Sequence, residues 1–140
     1  MELATSERGA LSKGRLWTGR ILSGVLAALL ALDALGKFAR PEAVVKGTLE
    51  LGYAETAIVP LGVVLLASVI LYALPRTAIV GAILLTGYLG GAVATHVRVG
   101  NPLYSHVLFP VYVGVLLWVG LTLRDRRLET LLFGERAGRE

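Results

Sequence analysis

Four apolar runs separated by short polar connections set the pattern of this chain. The third is the clearest. Thr77 to Arg98 reads TAIVGAILLTGYLGGAVATHVR and is uncharged until His96 and Arg98. At a rise of about 1.5 Å per residue it reaches about 30 Å, the thickness of a bilayer's hydrocarbon core. Ala78, Ala82, Thr86, Gly90 and Ala94 recur along it at every fourth position. Helices in lipid gain nothing by hiding leucine from leucine, so they associate through close backbone approach along small faces. The spacing therefore predicts a transmembrane helix at the centre of a bundle, with more protein contact than its neighbours.

The other runs complete the set. The first covers about 16–38, with Arg20 near its start and Asp33 near its end. Pro41 stops it, because proline cannot continue the helical hydrogen-bond ladder. Residues 41–53 then form a short amphipathic piece. Val44, Val45 and Leu49 share one face, and Glu42, Lys46 and Glu50 take the other. It is too short and too charged to span, so its expected place is flat on the membrane or over the bundle mouth. The second run covers about 55–74, with Pro60 in its first turn, where the missing N–H is tolerated. Pro75-Arg76 turns the chain into the third run, 77–97, and Val99-Gly100-Asn101-Pro102 marks the next turn. The fourth run, 105–124, ends at Arg124, Asp125, Arg126 and Arg127. Segments 1–15 and 125–140 remain as charged termini. The fold class that follows is all-α: a polytopic membrane protein built as a four-transmembrane-helix bundle. A cleaved secretory signal, with basic Lys13, Arg15 and Arg20 before an apolar core from Ile21 to Leu32, is the less expected reading, because Asp33, Leu35 and Lys37 interrupt the place where small cleavage-site residues belong.

Composition narrows the functions. Of 140 residues, 55% are hydrophobic and 17% charged, too apolar for an ordinary soluble domain. Without cysteine, the chain itself forms no disulfide or thiolate metal site and performs no thiol–disulfide chemistry. The net charge is +4, yet the basic residues flank apolar runs instead of forming a patch among aromatics. That points away from nucleic acid and towards the edges of a bilayer. Four spans put both termini on one side. Together with the Arg76 turn, that side holds ten of the 14 lysines and arginines, against Lys37, Arg40, Lys46 and Arg98 opposite. Positive residues mark the cytoplasmic side, so both termini are expected there. Trp17, Tyr72 and Trp118 fit the aromatic belt at that interface.

Ionisable groups away from the cytoplasmic edge gather at the outer half. Asp33, Lys37, Glu55, His96, Arg98 and His106 are expected to form one polar cluster at the outer mouth. Asp33 and Lys37 stand one turn apart with the acid first, the favoured order for an i,i+4 pair. A carboxylate within a span costs a few kcal/mol on insertion scales, so it should face a partner or a cavity. Two readings stay open: a structural ion pair, or part of a ligand or proton site. His96 and His106 with Glu55 or Asp33 have the chemistry for zinc. Their spacing, however, matches no established ligand motif, and both imidazoles sit near an edge, which disfavours metal and haem alike. Arg98 suits an anionic headgroup or a quinone carbonyl, or serves as an interface anchor. Gly87, Gly90 and Gly91 follow no strand, so helix packing explains them better than a phosphate loop. Tyr88 falls near mid-membrane, where its hydroxyl needs a partner, and nearby threonines are the local candidates.

Longer strings carry a family likeness. LGYAETAIVPLG, LYALPRTAIVGAILLTGYLGGAVATHVRVGNPL, HVLFPVYVGVLLW and LRD, with ALDALGKFARPEAVVKG before them, resemble the DoxX-like family over about Leu22 to Leu132. TGYLGGAVATHVR is the most specific of these. The resemblance implies a four-helix protein of the bacterial inner (plasma) membrane. It also implies an association with quinone-linked oxidation and redox-stress assemblies, without assigning a reaction. Three functions follow as expectations. The first is a quinone- or lipid-binding accessory of a redox system rather than an autonomous enzyme. The second is a scaffold that holds another membrane protein, or a second copy, through small-residue helix faces. The third is a small proton-coupled transporter, weakened by the lack of a broken helix or an inverted repeat.

Overall fold

The computed structural model describes residues 12–134. Most of the expected N-terminal segment, and the tail from 135 on, therefore lie outside the described residues. Helix α1 runs Lys13–Ala39 and α2 Glu42–Glu50; a 3₁₀ turn, Glu55–Ala57, leads into α3, Ile58–Ala73. Helix α4 runs Ala78–Arg98, a π-helical turn at Leu103–Val107 leads into α5, Phe109–Arg124, and α6 is Arg126–Phe133. Among the described residues four segments are long and apolar enough to cross a membrane: Lys13–Ala39, Glu55–Ala73, Ala78–Arg98 and Leu103–Arg124.

Local chemistry fixes the boundaries. The Ser12 side chain accepts a hydrogen bond from the Arg15 amide at 3.2 Å and so caps α1. At the other end Arg40 turns left-handed, φ 51, with Pro41 behind it. Asp125 caps α6 by accepting from the Arg127 amide at 2.9 Å. This helix lies in what sequence alone marks as a charged tail, and its Leu128 is buried against the bundle.

The spans form a ring in which α1 and α4 stand on opposite corners, each packed between α3 and α5. Leu26, Leu30, Leu65, Leu85, Leu117 and Leu121 fill the middle. Helix α4 packs against its neighbours no more than the other spans do, which corrects the expectation for the third span. Of its small stripe, Ala78 and Ala82 are buried, whereas Thr86, Gly90 and Ala94 are exposed. Geometry supplies the reason. At 3.6 residues per turn, a four-residue step overshoots by about 40°, so a strict i+4 row winds off the contact face within a few turns.

The two ends of the ring are built differently. At the end bearing both termini, backbones touch. A Cβ added at Gly81 would stand 2.1 Å from the Tyr72 amide nitrogen, one at Gly19 2.8 Å from that of Arg124, and one at Gly120 2.7 Å from Ser23 Oγ. Tyr72 is fully buried there, a correction to its placement in an interfacial belt; Trp17, 60% exposed, does suit a belt. The Tyr72 hydroxyl donates to the Leu117 carbonyl at 2.7 Å and lies 3.0 Å from Ser23 Oγ, tying α3 to α5 and α1. Arg124 donates to the Tyr72 carbonyl at 2.6 Å and sets its guanidinium 4.8 Å from the ring centroid. Arg15 pairs with Glu129 at 2.9 Å and donates to the Thr122 carbonyl at 3.3 Å.

Candidate functional site

The distal end, opposite the termini, collects the ionisable side chains picked out by sequence and sorts them into separate groups. On the last turns of α1, Lys37 Nζ and Asp33 Oδ1 are 2.7 Å apart. The lysine side chain is only 13% exposed, because its stem packs beside Gly62 of α3, while that of Asp33 is 53% exposed. The pair thus has a held cation and an open carboxylate. Tyr88, near the middle of α4, is half-buried.

A second group joins the α2–α3 connection to α4. The Tyr53 hydroxyl lies 2.8 Å from Thr95 Oγ1, and Thr95 donates onward to the Gly91 carbonyl at 2.8 Å. Arg98 donates to the Leu51 carbonyl at 2.7 Å, next to Gly52, whose φ of 81 lets the chain turn there. Arg40 pairs with Glu55, both side chains about half exposed. Between them these contacts strap the connection to the ends of α1 and α4. Thr86 does not serve Tyr88: it donates to the Ala82 carbonyl and accepts from Trp118 Nε1 at 2.8 Å.

The histidines make the third group. The rings of His96 and His106 meet edge to face, with centroids 5.8 Å apart and planes at 67°. The Asn101 amide nitrogen lies 2.8 Å from His96 Nδ1, and Ser105 Oγ 2.7 Å from His106 Nδ1. Each ring is therefore oriented by a neutral partner from its own turn. Among the described residues no set of three or more His, Asp or Glu side chains is placed to hold a metal ion.

The six expected residues share one end, but among the described residues only Asp33 and Lys37 are joined to each other by an ion pair; Glu55 pairs instead with Arg40, His96 and His106 meet ring to ring, and Arg98 is bound to backbone. Chemically, the mouth offers a largely buried lysine side chain, a half-exposed carboxylate and the Tyr53 hydroxyl bonded to Thr95. Tyr53 and Thr95 escape a reading of the sequence because one sits in a turn and the other inside an apolar run. The only signal for either is that a hydroxyl beside a span needs a partner.

A family model described as the DoxX-like family matches residues 21–120. Neither a curated protein nor a solved structure matches the chain.

Proposed function

The chain belongs to the DoxX-like family, and from that premise we propose that this membrane protein is a ligand-binding accessory which holds a quinone headgroup at its distal mouth. The observation that carries the reading is the Asp33–Lys37 pair. The lysine side chain is largely buried inside a span, and that of Asp33 is half exposed. An ammonium so placed donates to a carbonyl oxygen, and charge-assisted hydrogen bonds are the stronger kind. Asp33 acts as the positioning residue that keeps the Lys37 side chain aimed, through their 2.7 Å contact. In this reading the termini are cytoplasmic and the membrane is the plasma membrane, supported by the excess of lysine and arginine at the terminal end.

The test is binding of a decyl-benzoquinone to the protein reconstituted in phosphatidylcholine vesicles. Lys37→Gln and Asp33→Asn should each weaken it by about tenfold, the loss of one charge-assisted hydrogen bond. Melting in detergent reports separately on the fold. Parent-like quinone binding by both variants defeats the proposal. A second reading, a scaffold for another membrane protein, has one observation in its favour: Gly87 and Gly91 form an exposed small pair on α4, with open space where a Cβ would be. Cross-linking through cysteines placed at 87 and 91 distinguishes the two.

A further inference from the structure

Away from the mouth, a groove of about 640 Å³ runs down the seam between α4 and α5 and reaches α6. Gly90 and Val93 form one wall, Gly114 and Trp118 the other, and Leu132 and Phe133 of α6 line the terminal end. From Pro110 to Leu123 the lining follows α5 for about 20 Å. We propose that this groove binds one acyl chain of an anionic phospholipid, with its phosphate held by Arg76, Arg126 and Arg127.

Three observations select this occupant. The length exceeds half of a hydrocarbon core about 30 Å thick, so an acyl chain entering at one interface is accommodated over its whole leaflet. The volume lies within the range of small-molecule sites, about 300–1,000 Å³, and the absence of a side chain at Gly90 and Gly114 opens it. A partner helix, about 10 Å across with its side chains, would continue past the interface and meet Leu132 and Phe133. A lipid chain ends at its headgroup there.

Charge then selects the headgroup. Arg76 stands two residues before α4, and Arg126 and Arg127 open α6, one residue beyond the end of α5, so the arginines stand at the terminal ends of both helices that make the groove. All three are exposed and make no ion pair among the described residues. Basic side chains at a membrane surface favour anionic lipid over zwitterionic lipid. Trp118, whose indole is fixed by its bond to Thr86, stands in the groove wall as a built-in reporter.

The experiment uses the full chain with Trp17→Phe, leaving Trp118 as the sole tryptophan, in vesicles containing lipid brominated at mid-chain. Brominated phosphatidylglycerol should quench Trp118 with roughly three- to tenfold higher affinity than brominated phosphatidylcholine. Filling the groove by Gly90→Leu should remove both the high-affinity quenching and the preference. Replacing Arg76, Arg126 and Arg127 together by Gln should remove the preference and leave the quenching, and this variant carries the test if Gly90→Leu does not fold. Equal affinity for the two lipids in the parent overturns the proposal. So does a Gly90→Cys disulfide formed between copies at the expense of quenching, which would make the groove a seam between two chains.

Discussion

The two ends of the bundle use the same kinds of residue in opposite ways. At the terminal end, glycines let backbones touch, Tyr72 bridges three helices, and Arg124 both caps α3 and covers the Tyr72 ring. At the distal end, the side chains of Asp33, Arg40 and Glu55 lie about half exposed, and the connection is strapped by Arg98 and Tyr53. One end is closely packed, and the other is the more open, as the proposed function requires. Such a division is expected where binding surfaces are drawn from the less stable parts of a structure.

The most damaging way to break the comparison is at Gly81. The atoms a Cβ would strike there are the backbone of Leu71 and Tyr72, the nearest at 2.1 Å, and backbone cannot give way as a flexible side chain does. Gly81→Ala should cost about 3 kcal/mol, the upper part of the usual range for overpacking, read as the loss of thermal stability in detergent. A parent-like melting curve would mean that the α3–α4 corner is looser than its geometry.

Arg124 comes next. Its bond to the Tyr72 carbonyl, at 2.6 Å, is charge-assisted, and its guanidinium lies over the same ring. Arg124→Gln should cost about 2 kcal/mol, since hydrogen bonds involving a charged group contribute roughly 1.5–3 kcal/mol. Tryptophan-fluorescence melting checks this, and a change below about 0.5 kcal/mol would remove Arg124 from the parts that make the terminal end rigid.

How far these roles can be read from sequence depends on the range of the contact. The four spans follow from local apolar runs and from Pro41, Pro75-Arg76 and Gly100-Asn101-Pro102, and the structure has them within a few residues. The Asp33–Lys37 pair is equally local, four residues apart on one helix. Gly81, by contrast, looks like any other glycine of α4; only the path of the α3–α4 turn makes it indispensable. Tyr72 resembles a belt residue by its position near a span end, and its burial depends on Ser23, 49 residues away. The small stripe misleads for a different reason: its spacing is periodic, but the period is four, not 3.6. The distal groups scatter because Asp33, His96 and His106 find partners within their own turns, while Arg98, Tyr53 and Glu55 are taken up in holding the α2–α3 connection.

Gly90 sharpens the comparison by contrast with Gly81. Nothing lies within 4 Å of a Cβ added there. Gly90→Ala should leave packing untouched and stabilise the helix by about 0.5–1 kcal/mol, the usual gain when alanine replaces glycine in a helix interior. The same detergent melt measures it. A loss of stability instead would place Gly90 against a second chain.

The smallest effect belongs to Arg40. It holds a left-handed backbone, φ 51, at the end of α1, a conformation that costs an ordinary residue roughly 1–2 kcal/mol and glycine almost nothing. Arg40→Gly relieves that strain. It also removes the ion pair with Glu55, and a half-exposed pair contributes about 0.2–1 kcal/mol. Glycine further loosens the unfolded chain, a cost of roughly 0.5–1 kcal/mol. These terms nearly cancel, so the variant should melt within about 0.5 kcal/mol of the parent. Glu55→Gln, which removes only the pair, should lie slightly below both. A loss of about 2 kcal/mol or more in Arg40→Gly, beyond what Glu55→Gln shows, would mean that the Arg40 side chain anchors the α1–α2 corner as firmly as Arg124 anchors its own end. The contrast between the two ends would then fail at its weakest point.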